Sequence, residues 1–372
     1  MIFLVVLYHA GGVYESSGIW ASFWLVDDPS TNNLAGILNL IIDIFVMPTV
    51  FFISGFFTPS SLKNKSGWAF LESRFMRLVI PWIIAVLTLI PLYKIIFLYS
   101  RNLPQESWTT YFHWSNGIWS QNWLWFLPVL FLFDILYLFI SRVNIDISNI
   151  TLKRAIWAVF LLVLIYGFSM DIFEGRGWTK TIFIDFQNER LLIYFMSFLL
   201  GSLCYKQKVF ESEWKNKRLD LILHCTGWIP INLYIFLLIY SLVKPHNYLI
   251  SEIVDTLILR LNFVLSLGYL LYVTITTFRK YLNKQGTIWN ELNQNSYYVY
   301  IIHVIVMGGI ALTMLNTAIP SLLKFLLLTI STFVVSNLII SFYRKAIKSR
   351  IELFALQFTL DRPKSVYTLV ND

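Results

Sequence analysis

Charge is what this chain has least of. Only 13% of its 372 residues are Asp, Glu, Lys or Arg, against about 25% in a soluble globular domain. A water-covered surface cannot be built from so few ions, and a soluble chain this apolar would expose large apolar patches and aggregate. Cysteine is almost missing as well. The two present, Cys204 and Cys225, lie in or beside apolar segments without CxxC spacing, which excludes a disulfide framework and a zinc site. No other metal-ligating constellation is present, so no metal is expected. There is no internal repeat, and no nucleic-acid motif accompanies the net charge of +8. The basic residues sit in short loops between apolar runs, which is what membrane orientation needs, so no nucleic-acid partner is expected.

What is abundant is apolar and aromatic. Hydrophobic residues make up 57% of the chain, with 31 Phe, 20 Tyr and 14 Trp, and mean hydropathy is +0.64. An aromatic load of this size suits a protein with two membrane interfaces to line. The expected fold is all-α, a polytopic membrane helix bundle. A span needs about 20 apolar residues, and ten candidates follow, at about 1–14, 34–57, 76–99, 122–141, 152–170, 188–206, 219–243, 251–278, 295–315 and 320–343. Residues 1–350 then form one membrane-embedded domain and 351–372 a short tail.

The loops set the orientation. Lys63, Lys65, Arg74 and Arg77 precede the third span, and Arg142, Lys153 and Arg154 the fifth. Lys206, Lys208, Lys215, Lys217 and Arg218 precede the seventh, Arg279, Lys280 and Lys284 the ninth, and the tail is basic. The alternate loops hold only Arg101, Arg176, Lys180, Arg190 and Lys244. The bias places both termini in the cytoplasm, in agreement with an even number of spans. The third loop carries Trp108, Tyr111, His113, Trp114 and Trp119, as an interfacial belt or as a stacking surface for sugar rings. The first span is short, because only fourteen residues precede Glu15, about 21 Å of helix at 1.5 Å per residue against a hydrocarbon core of about 30 Å. It has no basic flank or small-residue cleavage site to make it a signal peptide. The expectation is that the natural protein starts about 10–20 residues earlier, enough to complete a span.

Ionisable groups inside spans are costly and default to functional candidates. His9 lies in the outer half of the first span, and Asp43 near the middle of the second with Asn39 one turn before it. Arg260 and Asn262 lie in the eighth span and His303 in the ninth, in NSYYVYIIHVIV. Each has a bland alternative. A lone intramembrane His or Asn often bonds a neighbouring helix, and Arg74 and Arg77 serve equally well as orientation charges. Asp43 is harder to dismiss, since a buried carboxylate needs a partner or a proton.

Several stretches together resemble the integral-membrane acyltransferase 3 family, most of all its glucan biosynthesis protein C branch. They are the run ending in LYHAGGVY, FFISGFF closing the second span, ESRFMRLVIPW with its R-x-x-R and Pro81, NWLWFLPVLFLFD, and NSYYVYIIH. They come in the family's order and cover essentially the whole chain. The resemblance implies about ten helices in the inner membrane of a bacterium. It also implies passage of an acyl group, acetyl or succinyl, from cytoplasmic acyl-CoA to a hydroxyl of an extracytoplasmic carbohydrate. Acyl-CoA is a co-substrate there, and no bound cofactor is implied. The family's functional histidine falls on His9 and its basic pair on Arg74 and Arg77, while the basic residue expected about eleven positions before that histidine would precede Met1. Imidazole, with an ordinary pKa of about 6.5, suits the removal of a hydroxyl proton near neutral pH. His9 is therefore the expected base, with a transient acyl-imidazole as the second variant. From depth alone, Asp43 is expected to orient His9. Trp123, Trp125, Arg260 and His303 are further candidates to wall the acyl or substrate path. Arg74 and Arg77 are expected to bind the CoA phosphates. A transporter or flippase for a polysaccharide precursor, or a sensory membrane protein without chemistry, are the rival readings.

Overall fold

A computed structural model describes residues 1–16, 23–107, 109–110, 121–143, 151–211, 217–281 and 286–360. The aromatic residues Trp108, Tyr111, His113, Trp114 and Trp119 lie outside the described residues. Ten helices carry the fold among those described. They are α1 (Ile2–Tyr14), α2 (Asn33–Leu62), α3 (Gly67–Ser100), α4 (Asn122–Arg142) and α5 (Leu152–Ile172). A small hairpin, β1 (Trp178–Lys180) and β2 (Asp185–Gln187), precedes α6 (Asn188–Lys206). Then come α7 (Asp220–Val243), α8 (Glu252–Tyr281), α9 (Thr287–Met314) and α10 (Ser321–Leu360). Each of the ten expected spans coincides with one of them. Eight are long and apolar enough to cross a membrane. The other two are α1, with 13 residues, and α6, whose first turn carries Glu189 and Arg190.

Local chemistry sets the helix ends. Asn32 caps α2, its side-chain oxygen accepting the N–H groups of Leu34 and Ala35 at 2.8 and 3.3 Å. Ser66 caps α3 through the Ala69 N–H at 3.2 Å, and Thr151 caps α5 through the Arg154 N–H at 3.3 Å. Each satisfies a donor that the first turn leaves without an intrahelical partner. Within α3, Phe75–Val79 forms a π-helical turn in which the Ile80 N–H reaches back to the Phe75 carbonyl. Pro81 has no N–H to give the Arg77 carbonyl. The Tyr297 hydroxyl on α9 donates to that carbonyl instead, at 2.5 Å.

The bundle closes on α2 and α6. Their backbones cross at two glycines: a Cβ on Gly55 would lie 1.9 Å from the Phe198 carbonyl oxygen, and one on Gly201 2.0 Å from that of Phe52. Small residues of this kind let membrane helices approach closely enough for dispersion contacts to hold them. Phe51, fully buried, then packs its ring between Phe126, Phe133 and Tyr194 at centroid distances of 4.8, 5.1 and 5.0 Å. α5 and α7 lie at the periphery and are mostly exposed, whereas α4 is mostly buried. His9 and Arg74 mark opposite ends of the bundle. Asp43, beside His9, and Thr58, beside Arg74, are about 22 Å apart along α2 at 1.5 Å per residue.

The crossing makes a prediction. Gly55→Ala and Gly201→Ala each cost about 1–3 kcal/mol, because neither backbone can retreat from the added methyl. Gly268→Ala, at a site with nothing within 4 Å, loses none. Thermal unfolding of the detergent-purified chain compares the three.

Candidate active site

At the His9 end a cavity of about 510 Å³ opens between α1, α2, α4, α6, α9 and the hairpin. Tyr8, His9, Asn39, Asp43, Trp123, Trp125, Tyr194 and Tyr300 line its depth. Phe23 and Trp24 border it from the segment after α1, and Trp178, Lys180, Asp185 and Gln187 from the hairpin. Its walls are rich in aromatic and apolar side chains, with a few polar groups converging, the usual character of a small-molecule site.

His9, which lines the cavity, meets His303 behind its wall. Their rings are 16° from parallel with centroids 5.0 Å apart, and His9 Nδ1 stands 2.7 Å from His303 Nε2. The two nitrogens therefore lie on the line between the ring centres, an edge-to-edge approach that suits a hydrogen bond and not a face-to-face stack. The tautomers follow by elimination. His303 Nδ1 faces the carbonyls of Tyr300 and Val299 at 2.7 and 3.2 Å, and carbonyls only accept, so that nitrogen carries the proton. His303 Nε2 is then the acceptor, His9 Nδ1 the donor, and the His9 lone pair sits on Nε2. These bonds to the preceding turn, in the middle of α9, fix the ring, so His303 holds His9 in one orientation.

Asp43 is placed otherwise than expected. It lines the same cavity, but its carboxylate accepts from the Tyr8 hydroxyl at 3.0 Å and pairs with Arg190 of α6 at 2.5 Å. Arg190 also donates to the Asp43 carbonyl at 2.9 Å and lies over the Phe263 ring. The group on His9 Nδ1 is His303, not Asp43. Arg190, read from the sequence as an outward loop charge, turns into the bundle because Asp43 offers it both a carboxylate and a carbonyl.

The segment after α1 folds back over the site. The Trp24 indole N–H donates to the His9 carbonyl at 3.0 Å, and its ring lies 5.0 Å from the imidazole. Tyr93 and Arg101 of α3 and its end hold the carbonyls of Phe23 and Trp24 at 2.6 and 3.0 Å. Lys324, fully buried on α10, clamps Asp28 at 2.9 Å and Ser30 at 3.1 Å. On the far wall, Asp185 accepts the N–H groups of Gln121 and Thr181, each at 3.0 Å. Burial pushes its carboxyl above the ordinary range, against the pull of those two donors.

The remaining expected residues separate. Trp123 and Trp125 line the cavity, and Trp123 is fixed by its indole N–H on the Ile301 carbonyl at 2.9 Å. Arg260 is not part of it: both it and Arg176 are taken up by Asp171. Arg74 and Arg77 lie at the opposite end of the bundle. Arg74 faces the buried Asp134 at 3.4 Å and Thr58 at 3.4 Å, whereas Arg77 is exposed. The Asp28–Lys324 clamp was not anticipated, and its signal was a lysine in the apolar run SLLKFLLL. The hairpin had no signal beyond a short polar break between spans.

A protein-family model described as an acyltransferase domain matches residues 1–341. No curated protein matches, and no solved structure matches.

The clamp supplies a stability test. Lys324→Met leaves the Asp28 carboxylate buried without its ammonium and costs about 3–5 kcal/mol. Adding Asp28→Asn recovers most of that loss. Thermal unfolding reads both variants, and a single variant as stable as the wild type would show that the pair is idle.

Proposed function

The chain belongs to the acyltransferase family whose model it matches, and we propose that it is a membrane O-acyltransferase moving an acetyl or succinyl group from cytoplasmic acyl-CoA to a hydroxyl of an extracytoplasmic carbohydrate, as in the glucan biosynthesis protein C branch. The observation that supports this reading is a histidine in the wall of a cavity rich in aromatic rings, His9, with its Nδ1 beside His303 Nε2 at 2.7 Å. In the proposed step, His9 Nε2 takes the proton of the acceptor hydroxyl as its oxygen attacks the thioester carbon. The tetrahedral intermediate collapses, the C–S bond breaks, and the CoA sulfur leaves with the proton that His9 returns. His303 stabilises the imidazolium in between by keeping Nδ1–H bonded. Asp43 acts at one remove, through Tyr8 and Arg190, as a group that shapes the cavity.

The two ends of the bundle suit the two substrates. The basic loops favour the Arg74 end as cytoplasmic, where the CoA phosphates arrive, and the His9 end as extracytoplasmic. Arg77, exposed, is available to a phosphate. Arg74 is tied to Asp134, so its loss would also leave a buried carboxylate uncompensated.

Membranes supplied with radiolabelled acetyl-CoA or succinyl-CoA test the reading. The wild type is expected to release CoA and label saccharide, and His9→Ala to lose about 10²–10⁴ of that rate, the usual contribution of a positioned base. A transporter would release no CoA. Arg77→Gln is expected to raise the acyl-CoA concentration for half-maximal labelling about tenfold, the weight of one charge-assisted bond, without lowering thermal stability. An unchanged acyl-CoA dependence would remove Arg77 from the donor site.

A further inference from the structure

The hairpin between α5 and α6 is too short to hold itself. Its strands have three residues each, and an isolated two-stranded hairpin is marginal in water even when longer. It is pinned from every side instead. Asp185 takes the Gln121 and Thr181 N–H groups. The Thr181 hydroxyl closes the turn on Ile184 at 2.7 Å, Thr179 donates to Asn188 at 2.6 Å, and the Gly177 N–H bonds Glu189 at 3.0 Å. So much fixation of six strand residues calls for a reason.

Strand alternation supplies one. Trp178 pairs with Gln187 and Lys180 with Asp185, with Thr179 and Phe186 between them. Residues two apart on a strand share a face, so Trp178, Lys180, Asp185 and Gln187 form one face, and all four line the cavity that holds His9. That face combines one indole, an ammonium, an amide and a carboxylate. Trp178 keeps 47% of its surface exposed and meets the ring of Trp125, which also lines the cavity, at 5.7 Å and 81°. An exposed ring braced edge-on by a second ring is a rigid platform with little conformational entropy left to lose.

We propose that this hairpin face is the wall that recognises the acceptor, with the apolar C–H face of a pyranose ring laid on the Trp178 indole and its hydroxyls turned to Lys180 and Gln187. A saccharide has an apolar face and a rim of hydroxyls, and this wall has an apolar plate with polar groups beside it. The reacting hydroxyl then enters the cavity towards His9. The assignment rests on the acyl-transfer reading for the chemistry, though not for the binding.

The experiment uses the full chain and two readouts. The first is transfer of label from acyl-CoA to saccharide in membranes. The second is hexose retained by the detergent-purified chain after incubation with saccharide extracted from the envelope of the same cells. Trp178→Ala is expected to lose tenfold or more of both, and Trp178→Phe to keep most of each. Phe183→Ala removes an aromatic ring from the hairpin turn outside the cavity lining, and is expected to match the wild type. Trp178→Ala equal to the wild type in both readouts overturns the proposal, as does Phe183→Ala equally impaired, or a shift confined to acyl-CoA dependence, which would assign the indole to the donor. Hexose retention that depends on Trp178 without any label transfer would sink the acyl-transfer reading and keep the wall. Label transfer indifferent to Trp178 would do the reverse, and a wild type showing neither would sink both.

Discussion

The close approach of α2 and α6 is the constraint from which the site follows. Gly55 and Gly201 allow the two backbones to touch, and the helices then run together to the far end. There α6 brings Arg190 against Asp43. A charge buried among helices must be paired within the protein, and this pair answers both needs at once. It also decides what Asp43 cannot do. With its oxygens taken by Arg190 and Tyr8, the carboxylate does not serve His9, and that place falls to a neutral side chain from α9.

The other buried ions follow the same logic. Lys324 has Asp28, Asp171 has Arg260 and Arg176, and Asp134 has Arg74. Apart from Asp171 with Arg176, five residues on and half exposed, each pair joins segments far apart in sequence and acts as a cross-link whose cost of desolvation is offset only when both members are present. The segment after α1 is held by this means over the imidazole. The hairpin is held by neutral bonds and two carboxylates, Asp185 and Glu189. The cavity thus has walls of two kinds, rigid helices below and short pinned segments above.

Much of the helical fold was legible in the sequence, because an apolar run of span length has few other fates. The ends of α2, α4, α5 and α6 fell within a few residues of where the pattern put them. His9 stood out through the resemblance and Trp123 and Trp125 as candidates for a wall, and all three line one cavity. What was not legible is adjacency. Spacing gives the depth of a residue and its face on a helix, but not which helix stands opposite. Asp43 and His303 were therefore assigned to the wrong neighbours: depth alone set Asp43 against His9 and left His303 on a path wall. Arg260 looked like a site residue because it was an ion in a span, and only the position of Asp171 shows that it is spoken for. The hairpin was invisible since three-residue strands carry no periodicity.

The π-helical turn at Phe75–Val79 amounts to one residue more than an α-helix needs over the same rise. It is a one-residue insertion that the fold has absorbed by giving the Arg77 carbonyl to Tyr297. Such a turn stores a choice of register. Deleting a single residue there would let α3 relax to regular winding and rotate everything before it by about 100°, one residue's share of a 3.6-residue turn. Arg74, before the turn, would swing away from Asp134, and Arg77, within it, would shift as well. The approach of Arg74 to Asp134 therefore depends on the winding of a turn that Arg74 itself precedes and that begins at the very next residue.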